Sequence, residues 1–173
     1  MCDYKGGVGL PISIDPPGYA TGALTMRPDT IDRLDAQFAE FPMMRANDAP
    51  SKAEIAQAEQ QTGVPFDEDY REFLLRYGGG IVGPYPIFGL RPVEVMGSNH
   101  WSVVDVTRHY RSIGVPGVGQ WVVISEDHAG NPVGMDAEGA IWIHDHDFGG
   151  ISAIAESFEE YLRGRFLKLP GPG

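Results

Sequence analysis

The spacing of apolar side chains changes near the middle of this 173-residue chain, after three consecutive glycines at 78–80. Before these glycines, apolar residues recur every three or four positions, as they do on the buried face of a helix. After them, short runs of β-formers are separated by turns rich in glycine and proline. A chain with helices first, antiparallel strands next and a closing helix folds as an α+β domain. Its length and its 42% hydrophobic content suffice for one domain with its own core.

Three helices are predicted before these glycines. The first covers residues 28–41, where the apolar spacing is helical. The second starts at Ser51, because Ser51 and Glu54 match a capping box, and Gly63 can take the left-handed conformation at its end. The third starts after Asp67, whose carboxylate can accept hydrogen bonds from the first-turn amides. The residues predicted to be buried on these helices are Ile31, Leu34, Phe38, Phe41, Ile55, Ala58, Thr62, Tyr70, Phe73, Leu74 and Tyr77.

Strands dominate the prediction for the second half of the chain. Runs of β-branched and aromatic residues predict the strands, and the turn at 137–139 predicts an antiparallel hairpin. Ser157 and Glu160 match a second capping box, which predicts the start of the closing helix. The predicted elements are strands at 85–90, 121–124, 132–136 and 140–146, with helices at 101–113 and from 157 onward.

The two ends of the chain are predicted to lie outside the folded domain. Residues 1–25 are rich in Gly and Pro, which predicts an irregular N-terminal arm. Alternation around Ile12 and Ile14 predicts a short strand within that arm. Residues 170–173 are predicted to form a flexible tail. The single α+β domain is therefore expected over residues 26–169.

Four groups of residues occur in an order that matches a known family. The first group is IAQAEQQTGVPF at 55–66, DYREFL at 69–74 and YGGG at 77–80, and the second is WVVI at 121–124, Asp127 and GNP at 130–132. The third group is MD at 135–136, Gly139 and DHD at 145–147, and the fourth is SFEEYL at 157–162. In this order they resemble the SUKH superfamily, which includes the yeast cell-wall-assembly regulator and many bacterial immunity proteins. Pro65-Phe66 replaces the usual Leu-Pro, and Gly78 replaces the usual asparagine. Both changes keep a proline before the cap and a residue that tolerates positive φ.

This resemblance implies a curved antiparallel β-sheet partly covered by helices. It also implies a protein-binding domain without catalytic activity, since bacterial members neutralise secreted toxins such as nucleases and deaminases by direct binding. A bacterial immunity protein is therefore the first expectation. A cytoplasmic scaffold or regulatory module of the same fold, without a toxin partner, is the alternative.

The distribution of charge indicates where a partner would bind. The chain has 13 Lys and Arg against 24 Asp and Glu, a net charge of −11, which disfavours nucleic-acid binding and favours a basic protein partner. Residues 126–147 hold six acids and no Lys or Arg. On one sheet edge they would form a negative rim for a basic toxin domain, whereas solvated acids that maintain solubility are the other interpretation. The predicted partner-binding residues are Trp101, Glu126, Asp127, Asp136, Glu138, Asp145 and Asp147.

The three tryptophans are predicted to play different roles. Trp121 and Trp142 lie within predicted strands, where filling the core is the usual role of this side chain. Trp101 lies beside His100 in a loop, at the first position of the helix predicted at 101–113. We therefore expect Trp101 to be the exposed aromatic anchor of a binding surface.

Catalytic and metal-binding patterns are weak in this sequence. His144 and His146 would share one face of a strand and could bind zinc with a third ligand, but a polar strand end is the simpler interpretation. The sequence has no Gly-x-Ser-x-Gly motif, and its single cysteine, Cys2, lies in the predicted arm. No catalytic residue, metal or cofactor is therefore predicted. Without a signal peptide or an apolar run of about 18 residues, we expect a cytoplasmic protein that does not contact membranes.

Overall fold

The structure describes residues 25–99 and 101–168 of the chain in a computed structural model. The predictions for residues 1–24, including the strand near Ile12 and Ile14, and the predicted tail at 170–173 lie outside the described residues. Five α-helices occur in the described part: α1 (Pro28–Glu40), α2 (Lys52–Thr62), α3 (Glu68–Tyr77), α4 (Val103–Ser112) and α5 (Phe158–Leu162).

The caps predicted for α2 and α3 are present in the structure. The Ser51 Oγ accepts a hydrogen bond from the Glu54 amide at 3.2 Å, and a Glu54 carboxylate oxygen accepts one from the Ser51 amide at 2.7 Å. Gly63 ends α2 in the left-handed conformation with φ 72°. Asp67 accepts a hydrogen bond from the Asp69 amide at the start of α3. Local sequence therefore determines where α2 and α3 begin and where α2 ends.

Six strands form one antiparallel sheet whose order in space is their order in the chain. The chain passes from β2 to β3 through a long connection that includes α4. β1 and β6 are the two edges of the sheet. The strands are β1 (Gly80–Val82), β2 (Tyr85–Ile87), β3 (Val122–Glu126), β4 (Pro132–Met135), β5 (Ile141–Asp145) and β6 (Gly150–Ala155). The prediction of an α+β domain with an antiparallel sheet and covering helices is confirmed.

The core combines buried side chains of all five helices with those of the sheet. Aromatic rings dominate it: the ring of Phe158 on α5 lies 5.1 Å from that of Tyr70 and 5.5 Å from that of Phe73, both on α3. Tilted and edge-to-face ring pairs of this kind stabilise a core beyond their buried area. The Tyr70 hydroxyl donates to the carbonyl of Phe88, so the one polar group of this cluster is satisfied.

The structure also departs from several sequence predictions. β1 and β6 were not predicted, and β2 ends at Ile87 rather than at residue 90. Phe41 was predicted to be buried but is 40% exposed, because α1 ends at Glu40 and the chain turns before Phe41 can join the buried face.

Candidate functional site

The six predicted acids divide between opposite ends of the β4–β5 hairpin. Asp136 and Glu138 lie in the turn that joins the two strands. The other four lie at the far end: Glu126 ends β3 and Asp127 follows it, and Asp145 ends β5 with Asp147 two residues later. The four residues of β4 separate the two ends by about 13 Å, at about 3.3 Å per residue. The expectation of one continuous acidic rim is therefore wrong, and a binding role for these residues stays a prediction.

Asp136 builds the turn in which it lies. One of its carboxylate oxygens accepts hydrogen bonds from the amides of Glu138 and Ala140, at 3.0 and 2.9 Å. The other accepts from the indole N–H of Trp142 at 2.7 Å. Such side-chain-to-backbone bonds are the reason that aspartate is common in turns. Asp136 was predicted as a binding residue from its charge, but it also has a structural role in this turn.

The acids at the far end of the hairpin also organise turns. Asp127 accepts hydrogen bonds from the amides of Ala129 and Asn131 and from the Asn131 side chain, all at 2.9 Å. Burial raises the pKa of Asp127, but these hydrogen bonds outweigh burial and leave the pKa below its ordinary value. Asp145 accepts from the amide of Asp147. The backbone amide of His146 donates to the Asn131 side chain at 3.0 Å, which joins the β3–β4 turn to the β5–β6 turn.

The two histidines of the weak zinc pattern are separated by the end of their strand. β5 ends at Asp145, so His144 lies in the strand and His146 in the following turn. The His146 imidazole lies 3.6 Å from the Asp147 carboxylate. Within residues 25–99 and 101–168, no three His, Cys, Asp or Glu side chains are grouped as a metal site would require.

Two of the predicted binding residues, Trp101 and Glu126, line the same groove. The groove has a volume of about 580 Å³ and lies between α4 and the first three strands. We call it the aromatic–acid groove and define it by Trp101, His109, Tyr110 and Glu126. Its remaining lining residues are Ile81, Pro86, Phe88, Met96 and Val106.

Aromatic rings form one continuous side of the aromatic–acid groove. Trp101 is 42% exposed, and its ring meets that of His109 edge-on at 4.6 Å. The His109 ring lies 5.6 Å from that of Tyr110. The Tyr110 hydroxyl donates to a Glu126 carboxylate oxygen at 2.8 Å. Burial and this carboxylate both raise the pKa of Tyr110 well above its ordinary value, so the hydroxyl keeps its proton and holds the carboxylate in place.

The groove is positioned by contacts between α4 and β3. The Ser102 hydroxyl caps α4 by accepting from the Asp105 amide, and Trp101 precedes this cap. Thr107 on α4 accepts from the amide of Val123 in β3 at 2.8 Å. The Arg111 guanidinium donates to three backbone carbonyls, those of Thr62, Val118 and Trp121. These bonds fix α4 against β3 and the segment that precedes it, and they hold the aromatic residues of α4 beside Glu126.

Sequence reasoning found Trp101 and Glu126 but not His109 and Tyr110. The available signal was local: both residues fall in the helix predicted at 101–113, on the turns that follow Trp101. Their meeting with Glu126 depends on how α4 packs on β3, across 16 residues of chain for Tyr110. That contact cannot be predicted from the spacing of residues in the sequence.

A second groove, of about 810 Å³, lies at the turn end of the hairpin. The rings of Trp121 and Trp142 stack there with their centroids 6.2 Å apart and their planes 15° apart. Trp121 is buried, as predicted, and Trp142 is half-buried. Trp121 lies against Gly134, where an added Cβ would meet the indole at 2.8 Å, so a glycine is required beneath this ring. Asp136 and Glu138 line the same groove.

Both grooves combine aromatic surface with carboxylates. The faces of tryptophan and tyrosine attract cations, and a neighbouring carboxylate adds direct charge pairing. Of the two, the aromatic–acid groove has the more exposed tryptophan, since Trp101 is 42% and Trp121 5% exposed. This arrangement can bind a cationic group.

Comparison with known proteins gives one family match. The family model described as SUKH_5, SMI1-KNR4 cell-wall, matches residues 28–167, a range that includes all five helices and all six strands. No curated protein matches the chain. In the described part of the chain, no helix combines the length and the apolar character needed to cross a membrane.

Proposed function

This chain belongs to the SMI1-KNR4 cell-wall family of the SUKH superfamily, and from that premise we propose that it is a non-catalytic immunity protein that neutralises a basic protein toxin by direct binding. Neutralisation would occur by occlusion, with no bond made or broken. The toxin would be one that acts on a polyanion, such as a nuclease, because its own active surface must then be positively charged.

The aromatic–acid groove is the observation that supports this proposal. Cationic side chains of the toxin would lie against the Trp101 ring and pair with the Glu126 carboxylate. Guanidinium groups stack on aromatic faces and pair with carboxylates in a fixed geometry. An exposed tryptophan in the same groove as a half-buried acid is the composition from which binding hot spots are built.

The net charge of −11 supports the same kind of partner. Like charges would repel a nucleic acid or an acidic protein, whereas a basic toxin would be attracted before contact. Complementary charge mainly raises the association rate and the specificity of binding. The carboxylates at the far end of the hairpin, Asp127, Asp145 and Asp147, lie beyond Glu126 in the same region of the sheet and would contribute to this attraction.

The test uses the toxin domain encoded next to this chain's gene, produced with and without the chain. We expect cells to survive only when the chain is present, and Trp101→Ala to raise the Kd by about 10- to 100-fold. Glu126→Gln should raise the Kd by about tenfold and make binding less sensitive to salt. Ile113→Ala, which removes an exposed apolar side chain at the C-terminal end of α4 that does not line the groove, is the matched control and should change little.

Two outcomes would contradict this proposal. One is full resistance to the neighbouring toxin after deletion of the gene. The other is tight binding of a host protein that is not a toxin, with Trp101→Ala abolishing that contact. That second result would identify the chain as a scaffold or regulatory module of the same fold.

A further inference from the structure

The outer edge of β6 is a second surface suited to binding a protein, and we propose that it pairs with an extended basic segment of the partner, which would add a seventh strand to the sheet. This inference rests on the proposed function in one respect, namely that the chain acts by binding a protein. The paired surface differs from the aromatic–acid groove, which lies between α4 and β1–β3.

The direction of the backbone groups in β5 follows from the hairpin. The Asp136 amide donates to the Ala140 carbonyl at 3.0 Å across the β4–β5 turn, so Ala140 directs its polar backbone groups toward β4. These groups point to alternate sides along an antiparallel strand. Trp142 therefore also directs its groups toward β4, and Ile143 directs its groups toward β6.

The same alternation identifies the outward groups of β6. Ile143 is paired with Ser152, so the amide and carbonyl of Ser152 face β5. The amides and carbonyls of Ile151 and Ala153 then face away from the sheet. Within residues 25–99 and 101–168, no strand pairs with β6 on that side. An added strand would find these groups at the spacing it requires.

β6 lacks two of the features that prevent pairing at a sheet edge, although its register with β5 shifts between Ala153 and Ala155. Its sequence, GISAIA, has no charged residue and no proline, and edge strands of native proteins are usually protected by one or the other. Its first four residues are exposed, Ile151 at 44%. Phe148, in the turn before β6, is 93% exposed. The edge therefore offers apolar contacts beside its backbone groups.

Charge at the two ends of β6 selects a basic segment as the occupant. Asp147 precedes the strand with its side chain 53% exposed, and the exposed Glu156 follows it directly. No Lys or Arg occurs between Asp145 and Glu160. In an antiparallel pair of two copies, Glu156 of one chain would lie within two residues of Asp147 of the other, so self-pairing is disfavoured. Lysine or arginine near the ends of the incoming strand would pair with these carboxylates.

The test measures binding of a Lys-Val-Lys-Val-Lys-Val peptide, labelled with fluorescein, to the purified chain. We expect the peptide to bind and to slow hydrogen exchange at the amides of Ile151 and Ala153 by about tenfold or more. The Glu-Val peptide of the same length should bind about tenfold less tightly. Ala153→Pro removes one outward amide and should weaken binding of the Lys-Val peptide by about tenfold. Ala153→Ser keeps that amide and is the matched control.

Circular dichroism and thermal unfolding would establish that Ala153→Pro still folds. If that variant is unfolded, Ile151→Lys is the second edge variant. Its positive charge would repel the Lys-Val peptide at the edge, and the same loss of binding is expected. Unchanged binding in a folded edge variant would overturn the inference. So would protection of the Ile151 and Ala153 amides in the unliganded monomer, or a dimer that Ala153→Pro dissociates.

The two proposals fail in distinguishable ways. If Ala153→Pro binds the neighbouring toxin normally while Trp101→Ala does not, the β6 inference fails and the proposed function stands. If the Lys-Val peptide protects the β6 amides but deletion of the gene leaves cells resistant to the toxin, the β6 edge is a strand-binding surface and the immunity role fails.

Discussion

The two edges of the sheet differ in whether the chain itself covers them. At the β1 edge, the Gln37 side chain donates to the Ile81 carbonyl at 2.8 Å, and the Ala46 amide donates to the Gly79 carbonyl at 3.1 Å. Arg45 forms a β-bridge with Gly80. No comparable contact reaches the outer side of β6 from any described residue.

The difference teaches how one sheet can be both stable and able to bind. The residues that cover β1 come from the end of α1 and the segment after it, so this edge is closed when the helical half packs on the sheet. β6 is the last strand, and the chain leaves it for α5 without turning back across its edge. Backbone groups that could pair with another strand are therefore left uncovered on the β6 edge.

Phe38→Ala should have the largest effect of four changes that test this comparison. Phe38 is 4% exposed and its ring lies 5.0 Å from that of Tyr77. It also lies against Gly80, where an added Cβ would meet the ring at 2.9 Å. We expect the free energy of unfolding to fall by about 3–4 kcal/mol, because the change leaves a cavity at the covered edge. Urea unfolding measures this loss.

Ile151→Ala is the matched change at the open edge. Ile151 is 44% exposed, so its truncation should cost less than about 1 kcal/mol. Equal losses for Phe38→Ala and Ile151→Ala would mean that β6 is as firmly packed as β1, and the distinction between the edges would not hold.

A change at Asp69 should have an intermediate effect that depends on pH. Asp69 lies on α3, which also carries Tyr77 beneath the covered edge. Burial and then the neighbouring Asp67 carboxylate raise the pKa of Asp69 from 3.8 to about 6. The folded chain therefore holds this proton more tightly than the unfolded chain does. Its contribution to stability is complete below pH 3.8 and is lost as the pH rises through about 6.

Asp69→Asn removes the charge that burial disfavours. Because Asp69 is partly solvated, we expect a gain of only about 1–2 kcal/mol in the free energy of unfolding near pH 8, and no gain below about pH 4. Urea unfolding at the two pH values measures the difference. Glu68→Gln, at an exposed position in the same turn, is the control. A gain of the same size at both pH values would show that the carboxyl proton is not responsible.

Gln37→Ala should have a small effect on stability and the most specific effect on the edges. It removes the hydrogen bond to the Ile81 carbonyl, which should cost about 1 kcal/mol. It also uncovers one backbone acceptor of β1, so faster hydrogen exchange is expected around β1 and not in β6. Gln57→Ala, at an exposed position on α2, controls for loss of a glutamine. Unchanged exchange around β1 would mean that Gln37 does not protect this edge.

Features with a local cause were predictable from the sequence. The capping box of Ser51 and Glu54, the left-handed Gly63 and the hairpin turn after Asp136 each depend on residues within four positions of one another. Their energies are decided before distant parts of the chain meet. The candidate site was predictable only in part, because Trp101 and Glu126 were identified by exposure and charge but not as neighbours.

The sequence alone determined the helices, their caps, the β4–β5 hairpin, the negative charge and the family. Tertiary structure decided the rest. β6 has only two strong β-formers, Ile151 and Ile154, among glycine, serine and alanine, and it becomes a strand because β5 supplies its hydrogen bonds. The division of the six acids between two ends of a hairpin, and the meeting of Tyr110 with Glu126, likewise depend on which distant segments pack together. Local propensity describes each residue's preferences, but only the pairing of distant segments places side chains in one groove and leaves one edge uncovered.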